Sequence, residues 1–164
     1  MTRDRIVVMG VSGAGKSLIG RDLALRLGAR FVDADSLHSP AAVRKMAGGT
    51  PLTDADRAPW LARVGAALAQ PPHPVIVACS ALKRRYRDAI RAGAGGPVLF
   101  LHLAGPEEVI AGRMAARTDH FMPPALLASQ FAALEPPGAD EDHLDLDLRE
   151  PPERILAAAL AALA

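Results

Sequence analysis

The sequence has no asparagine among its 164 residues and only one cysteine, Cys79. A single cysteine excludes an intrachain disulfide and agrees with a reducing cytoplasm. Without asparagine the chain cannot form the N-K-x-D motif with which GTPases read guanine, so a GTPase switch is disfavoured. The formal net charge is only +1, which gives no electrostatic basis for binding nucleic acid or a membrane surface.

Long apolar runs are also absent. The most apolar stretch, ILAAALAALA near the C-terminus, is too short to span a bilayer and predicts the apolar side of a last helix. The first ten residues, MTRDRIVVMG, lack the pattern of a secretory signal peptide. Hydrophobic residues make up 50% and charged residues 23% of the chain, which is ordinary for a globular protein. We therefore expect one cytoplasmic domain over residues 1–164.

Short β-branched runs alternate with helical patterns along the chain. Strands are predicted at Arg5–Met9, Arg30–Asp33, Val75–Cys79, Val98–Leu103 and Leu144–Leu148. Helices are predicted at Ser17–Leu27, Asp54–Gln70, Ala81–Ala92, Glu107–Arg117, Pro124–Leu134 and Pro152–Leu163. This alternation predicts an α/β fold of three layers, with a parallel five-stranded sheet and helices on both faces. Ligands of such sheets bind beyond the carboxyl ends of the strands, so the loops beginning there should form the site.

The stretch GVSGAGKS, from Gly10 to Ser17, fits the phosphate-binding pattern G-x-x-x-x-G-K-[ST]. It follows a predicted strand and opens a predicted helix, which is the context that this motif requires. Its backbone N–H groups and the positive end of the helix dipole suit phosphate oxygens. Lys16 is expected to reach the β- and γ-phosphates, and Ser17 to ligate Mg²⁺. The residues predicted to bind ATP are Gly10, Val11, Ser12, Gly13, Ala14, Gly15, Lys16 and Ser17.

Two carboxylates, Asp33 and Asp35, are separated by one residue after the second predicted strand. In an extended segment both side chains point the same way, so both are expected to face the phosphate site. Asp33 is predicted to orient Mg²⁺, because the third strand ends in Cys79 and Ser80 where many P-loop proteins place an aspartate. Asp35 is predicted to accept the proton of an attacking hydroxyl. The alternative is that the two carboxylates only cap a helix or turn.

Further motifs carry a more specific resemblance. In order, the chain contains GVSGAGKS, DADSLH, KMAGGTPLTDADRAPWL, CSALKRRYRD, HFMP, LLASQFAALEPP and ADED. In this order and spacing they resemble the gluconate kinases, P-loop enzymes that make 6-phosphogluconate from gluconate and ATP. The resemblance covers most of the chain, from Ile6 to Asp142. It departs in LHSPAAVRKM, where Pro40 is displaced by one position and Ala42 stands where the family usually has asparagine.

The resemblance implies a P-loop kinase fold with a mobile lid at about residues 113–124, and gluconate as the small-molecule substrate. Arg113 and Arg117, four residues apart on one helical face, would close over the transferring phosphoryl group with that lid. The alternative for both is an ordinary exposed helix face. A homodimer is expected from the resemblance alone.

Recognition of gluconate needs a cation for the carboxylate and hydrogen bonds for the hydroxyls. Arg57 offers a planar fork suited to a carboxylate, with a surface salt bridge to a neighbouring aspartate as the alternative. Lys83 and Arg84 follow the end of the third strand and are expected at the substrate, although they equally suit a solvated helix face. His38 is predicted to hydrogen-bond a hydroxyl, with a plain loop role as the alternative.

Other functions stay open at this point. A shikimate kinase has a similar size, but it needs a glycine-rich turn where this chain has ACSALKRR. A nucleoside monophosphate kinase usually needs a longer chain with a distinct acceptor domain. A kinase of another sugar acid differs only in the acceptor, and a non-catalytic ATP-binding regulator would keep the same phosphate loop.

Overall fold

Five strands and seven α-helices alternate along residues 3–116 and 124–164, the part of the chain that this computed structural model describes. The strands are β1 (Arg5–Met9), β2 (Arg30–Asp33), β3 (Val75–Ala78), β4 (Leu99–Ala104) and β5 (His143–Asp147). The helices are α1 (Lys16–Leu27), α2 (Pro40–Ala47), α3 (Asp54–Ala69), α4 (Arg84–Gly93), α5 (Glu107–Ala115), α6 (Pro124–Ala133) and α7 (Pro152–Leu163). A 3₁₀ turn, Ala34–Leu37, follows β2.

The strands form one parallel sheet in the order β2-β3-β1-β4-β5. The central strand β1 is apolar on both faces because both faces are covered: Val8 packs in a core with residues of α1 and α7, and Val7 in a second core with residues of α3 and α4. The predicted α/β architecture of three layers is therefore confirmed. Among the described residues, no helix combines the length and apolar character needed to cross a bilayer.

The predicted strands agree with the structure to within one residue at each end, but two helical elements were missed or misplaced. The fourth helix begins at Arg84, three residues later than predicted, because Ala81 adopts a left-handed φ of 46° that no helix accepts. Helix α2 was not among the predicted helices. Its start is nonetheless signalled by Ser39, whose Oγ accepts a hydrogen bond from Ala42 N at 3.1 Å, and by Pro40 in the first turn.

A buried arginine, Arg87 on α4, joins two loops, the one after β3 and the one between α6 and β5. Its side chain is fully buried and all five of its N–H donors are used. It donates twice to the Glu141 carboxylate, at 2.8 and 3.1 Å. The remaining bonds go to the carbonyl oxygens of Ala81, Leu82 and Glu135. Arg87 therefore fixes the loop after β3 against the loop before β5.

The Glu141 carboxylate is held ionised by the same cluster. Burial alone would raise its pKa, but hydrogen bonds from Arg87, Arg91 and the backbone N–H of Gly138 outweigh burial and lower the pKa from 4.5 to about 2. Since the folded-state pKa is depressed, Glu141 stabilises the fold above about pH 4.5, and this contribution is lost as the pH falls towards 2.

Glu141→Gln should therefore lower the free energy of unfolding near pH 7 by about 3–5 kcal/mol, because it leaves the buried Arg87 without its counter-charge. Urea denaturation at pH 7 and at steps down to pH 3 measures the effect. The difference between wild type and variant should shrink as the pH falls below about 4.5. Glu153→Gln is the matched control, since Glu153 is exposed in the first turn of α7 and should change stability by about 0.5 kcal/mol or less. A loss below about 1 kcal/mol for Glu141→Gln would contradict the role assigned to the pair.

Candidate active site

The loop Gly10–Ser17 connects β1 to α1 at the carboxyl edge of the sheet. Gly15 is the N-terminal cap residue of α1 with φ 96°, and a Cβ at this position would have no neighbour within 4 Å. Within the described part of the chain, no side chain caps the first turn of α1, so its N–H groups are available to an anion. Gly10 has φ 150°, and a Cβ there would lie 3.1 Å from the Leu103 carbonyl oxygen. The glycines therefore permit both the bend of this loop and its contact with β4.

Lys16 lies across the loop that precedes it. Its Nζ donates to the Val11 carbonyl oxygen at 3.0 Å. Burial lowers the pKa of its ammonium, and the nearby carboxylates of Asp35 and Asp33 partly offset this shift. The predicted phosphate-binding lysine is thus close enough to interact electrostatically with the predicted base, Asp35, and with the predicted metal ligand, Asp33.

Asp33 and Ser17, the two predicted metal ligands, are in direct contact. The Ser17 hydroxyl donates to Asp33 Oδ2 at 3.2 Å. Asp33 is also a cap, because its Oδ1 accepts a hydrogen bond from Asp35 N at 3.0 Å and so starts the 3₁₀ turn. The expectation of a fully extended D-x-D segment was therefore wrong, since Asp35 lies within that turn. A hydroxyl and a carboxylate at the mouth of a phosphate loop are oxygen donors of the kind that Mg²⁺ prefers.

A cavity of about 520 Å³ adjoins the phosphate loop. Four of the five residues predicted to bind the substrate line it: Asp35, His38, Arg57 and Lys83. Its other lining residues are Ser12, Met46, Pro51, Leu52, Trp60, Ser80, Leu82, Tyr86, Leu126, Ser129, Gln130 and Ala133. Because Ser12 belongs to the phosphate loop, the cavity is bounded on one side by that loop. We refer to it below as the acceptor cavity.

The fifth predicted substrate residue, Arg84, does not line this cavity. Its guanidinium forms two hydrogen bonds to the Asp140 carboxylate, at 2.9 and 2.8 Å, and this pairing raises the arginine pKa. Its backbone N–H donates to Glu135 Oε1 at 2.7 Å. Lys83 precedes the first turn of α4 and Arg84 begins it, so the two side chains leave in different directions. The substrate role predicted for Arg84 therefore has no support from its position.

Arg57 is held in the acceptor cavity by Tyr86. The guanidinium donates to the Tyr86 hydroxyl oxygen at 3.2 Å, and that hydroxyl donates to Asp54 Oδ1 at 2.7 Å. Arg57 also lies 3.7 Å from Asp54, so the surface ion pair considered from the sequence is present together with the cavity position. Burial and the Asp54 carboxylate raise the pKa of Tyr86, which keeps the phenol protonated as the donor. The result is a preorganised cation at the cavity wall.

His38 stacks on Trp60, with ring centroids 4.3 Å apart and planes 13° from parallel. Trp60 is itself fixed by a 2.7 Å hydrogen bond from Nε1 to the Ala34 carbonyl oxygen. Burial lowers the pKa of His38, so its imidazole is neutral near pH 7. Its Nδ1 is buried without a hydrogen-bond partner among the described residues. A neutral imidazole of this kind can exchange a hydrogen bond with a hydroxyl.

A second cavity, of about 390 Å³, lies on the other side of the phosphate loop. Its lining residues are Gly13, Ala14, Gly15, Leu18, Ile19, Arg113, Arg149, Glu150, Pro151, Pro152 and Ile155. The segment after β5 therefore forms one wall of this cavity. Arg113 is exposed at this wall. Arg117 and most of the predicted lid fall at residues 117–123, outside the described part of the chain.

Several lining residues were not predicted from the sequence. No site role had been assigned to Tyr86, Met46 or Trp60. Four further residues come from α6: Leu126, Ser129, Gln130 and Ala133. Their spacing of three, four and seven residues is the signature of one helix face, and it was available in LLASQFAA.

Comparisons with known proteins agree with this geometry. A family model described as an AAA domain matches residues 6–137. A gluconokinase of Gluconobacter oxydans is 46% identical over 92% of this chain and 86% of its own length. The crystal structure of a gluconokinase from Sinorhizobium meliloti superposes with a TM-score of 0.89 at 49% identity, covering 97% of this chain and 90% of the other. A shikimate kinase from Aquifex aeolicus, 18% identical with a TM-score of 0.58 over 97% of this chain and 95% of the other, shares the fold alone.

The chain belongs to the gluconokinase family. Its departure from the family pattern at Pro40 and Ala42 has a local explanation in the structure. Ser39 caps α2, and the Ala42 N–H is the group that this cap satisfies. The cap is therefore present without an asparagine, and Ala42 is not among the residues that line the acceptor cavity. The nearest effect of position 42 on the cavity is through Met46, one helical turn further along α2.

Tyr86→Phe should raise the KM for the sugar acid several-fold and leave the KM for ATP near the wild-type value, because removal of one hydrogen bond costs roughly 1 kcal/mol and frees Arg57 to leave the cavity. Arg57→Ala should raise the same KM by roughly 10-fold or more, since hydrogen bonds to charged groups are stronger. Steady-state kinetics with each substrate varied in turn measures both. Arg26→Ala, an exposed arginine in the last turn of α1, is the control. An unchanged KM for the acid in Arg57→Ala would remove this residue from the binding site.

Proposed function

We propose that this protein phosphorylates the terminal hydroxyl of D-gluconate with ATP and forms 6-phospho-D-gluconate. The observation that carries the proposal is the acceptor cavity, which adjoins the phosphate loop at Ser12 and holds both a cation, Arg57, and a carboxylate, Asp35. A cation and a carboxylate in one cavity suit an acceptor that has an acid at one end and a reactive hydroxyl at the other. Membership of the gluconokinase family supports the same substrate.

Binding of ATP is assigned to the loop Gly10–Ser17. Lys16 balances the charge of the phosphates, and the N–H groups at the start of α1 donate to them. Ser17 and Asp33 would hold Mg²⁺, which supplies further charge neutralisation on the phosphate oxygens. The contact between these two side chains, 3.2 Å apart, supports that assignment.

Binding of gluconate is assigned to the acceptor cavity. Arg57 pairs with the carboxylate of the sugar acid, and Lys83 adds a second positive charge at the same wall. His38 exchanges a hydrogen bond with a hydroxyl along the chain of the acid. In this assignment the carboxylate of the acid binds at Arg57 and the terminal hydroxyl lies beside Asp35.

Phosphoryl transfer is assigned to Asp35, Lys16 and the lid arginines. Asp35 accepts the proton of the terminal hydroxyl as that oxygen attacks the γ-phosphorus in line with the departing ADP. Lys16 stabilises the charge that develops on the transferring group. Arg113 and Arg117 add positive charge and exclude water when the lid closes. Cys79 takes no part, because burial raises the pKa of its thiol to about 12.

Two wider assignments accompany the reaction. The compartment is the cytoplasm, with which the single buried thiol of Cys79 is compatible. The assembly is a homodimer, an expectation taken from the family resemblance alone. Light scattering of the purified protein measures the mass of the assembly, and a mass of one chain would contradict the dimer.

Asp35→Asn should lower kcat by roughly 10²- to 10⁴-fold, because the amide cannot accept the proton of the attacking hydroxyl. The KM for ATP should change much less than kcat. Asp142→Asn is the matched control, since Asp142 is exposed and pairs only with Arg3 among the described residues, at 3.2 Å. A near-normal kcat with a raised KM for gluconate would show instead that Asp35 binds the acceptor without acting as the base.

The reaction itself is tested by ADP release from Mg-ATP with gluconate, other aldonic acids, shikimate and AMP each offered as acceptor. Release with gluconate, together with a phosphorylated acid of the expected mass, supports the proposal. Release with another sugar acid alone would keep the reaction class and change the substrate. ATP binding without release for any acceptor would favour the alternative of a non-catalytic ATP-binding regulator.

A further inference from the structure

One wall of the acceptor cavity is a single face of α6. Leu126, Ser129, Gln130 and Ala133 line the cavity, whereas Leu127 and Phe131 pack into the hydrophobic core beside the sheet. The helix is thus fixed by its apolar face while the other face is presented to the acceptor. The Ser129 hydroxyl forms its hydrogen bond within the helix, because its Oγ donates to the Leu126 carbonyl oxygen at 2.8 Å. Gln130 is the residue of this face whose polar group reaches out of the helix.

The Gln130 carboxamide contacts the phosphate loop directly. The backbone N–H of Ser12 donates to Gln130 Oε1 at 2.7 Å. A backbone N–H can only donate, so this bond fixes the orientation of the carboxamide: its oxygen faces the loop and its NH₂ group faces away from it. Among the described residues, the NH₂ group donates no hydrogen bond. Since both Ser12 and Gln130 line the acceptor cavity, the two free donors lie at the junction of phosphate loop and acceptor.

We propose that Gln130 is an acceptor-binding residue, whose NH₂ group donates to a non-reacting hydroxyl of the sugar acid while its carbonyl oxygen is held by the Ser12 N–H. This inference rests on the proposed function and adds a specificity residue to it. An amide fixed at its oxygen end loses little rotational freedom when its nitrogen end binds, which makes the contact geometrically selective. A polyol offers several hydroxyls, and Gln130 selects the one that lies at this junction.

The contact also fixes the position of the acceptor relative to the phosphates of ATP. The Ser12 N–H belongs to the loop that binds the phosphates, and the Gln130 NH₂ group binds the acceptor, so a single carboxamide spans both. The distance from the phosphate loop to the chosen hydroxyl is then fixed by the dimensions of one carboxamide group. A sugar acid that lacks that hydroxyl, or carries it with inverted configuration, is not held in this position, and its phosphorylation should therefore be slower.

The test compares wild type with Gln130→Met, which keeps the approximate size of the side chain and removes both hydrogen-bonding groups. Each is assayed for kcat/KM with gluconate and with its monodeoxy analogues at carbons 2 to 5. With gluconate, the variant should lose roughly 10- to 100-fold in kcat/KM, as expected when a substrate hydroxyl loses its partner. With one deoxy analogue, wild type and variant should be nearly equal, because the contact is already absent. ADP binding by the variant should stay within about threefold of wild type, which shows that it is folded.

Gln70→Met is the matched control, since the chain has only these two glutamines and Gln70 lies at the end of α3, remote from the phosphate loop in the fold. It should leave every kcat/KM unchanged. An equal loss by Gln130→Met with gluconate and with all four deoxy analogues would overturn the inference, because it would show a purely structural effect through Ser12. A loss of less than twofold with gluconate would overturn it as well. If wild-type protein is inactive with gluconate, the proposed function itself is overturned. The wild-type measurement with gluconate in the same assay shows this directly.

Discussion

The acceptor side of this molecule depends on one buried ion pair, Arg87 with Glu141. Arg87 cannot be desolvated unless all of its donors are satisfied, and the structure satisfies them with carbonyl groups from two loops and one carboxylate. Two of those carbonyls belong to Ala81 and Leu82 in the loop after β3, where Ala81 is held in a left-handed conformation. The same loop supplies Ser80, Leu82 and Lys83 to the acceptor cavity. The shape of the cavity is therefore set from outside it, by a residue that no substrate touches.

The basic cluster KRRYR shows how helix geometry separates roles that the sequence leaves mixed. Lys83 and Tyr86, three residues apart, face the acceptor cavity. Arg84 and Arg87, also three residues apart, face the loops that carry Asp140 and Glu141. Once the helix starts at Arg84, the two faces follow from its period of 3.6 residues. From the sequence, Arg84 was grouped with Lys83 because both lie near the end of the third strand.

The parts that were predictable are those with short-range causes. Motif chemistry, apolar periodicity and helix caps depend on residues that are adjacent in the sequence. They predict the phosphate loop, the five strands and most helix ends. The family resemblance then predicted gluconate as the acceptor, and four of the five residues predicted to bind it line the acceptor cavity. Unpredicted parts depend on distances between remote segments: Gln130 meets Ser12 across 118 positions, and Arg87 meets Glu141 across 54. Asp33 shows a further limit of prediction from the sequence, which treated a turn cap and a site role as alternatives. In the structure the same carboxylate caps the 3₁₀ turn and contacts Ser17, so the two roles are compatible.

The charge arrangement around Arg57 explains how such a cavity would prefer an acid to a neutral sugar. Asp54 lies 3.7 Å from Arg57 and accepts a hydrogen bond from the Tyr86 hydroxyl, so Arg57 always has a partial counter-charge. Asp54 is exposed, which makes this resident pair weak through solvent screening. A carboxylate entering the cavity meets Arg57 in a less hydrated setting and pairs with it more strongly than Asp54 does. A neutral sugar brings no charge and leaves the resident pair in place. Selectivity then arises because Arg57 pairs more strongly with the substrate carboxylate than with Asp54. Tyr86 maintains this preference by holding Arg57 within reach of both carboxylates.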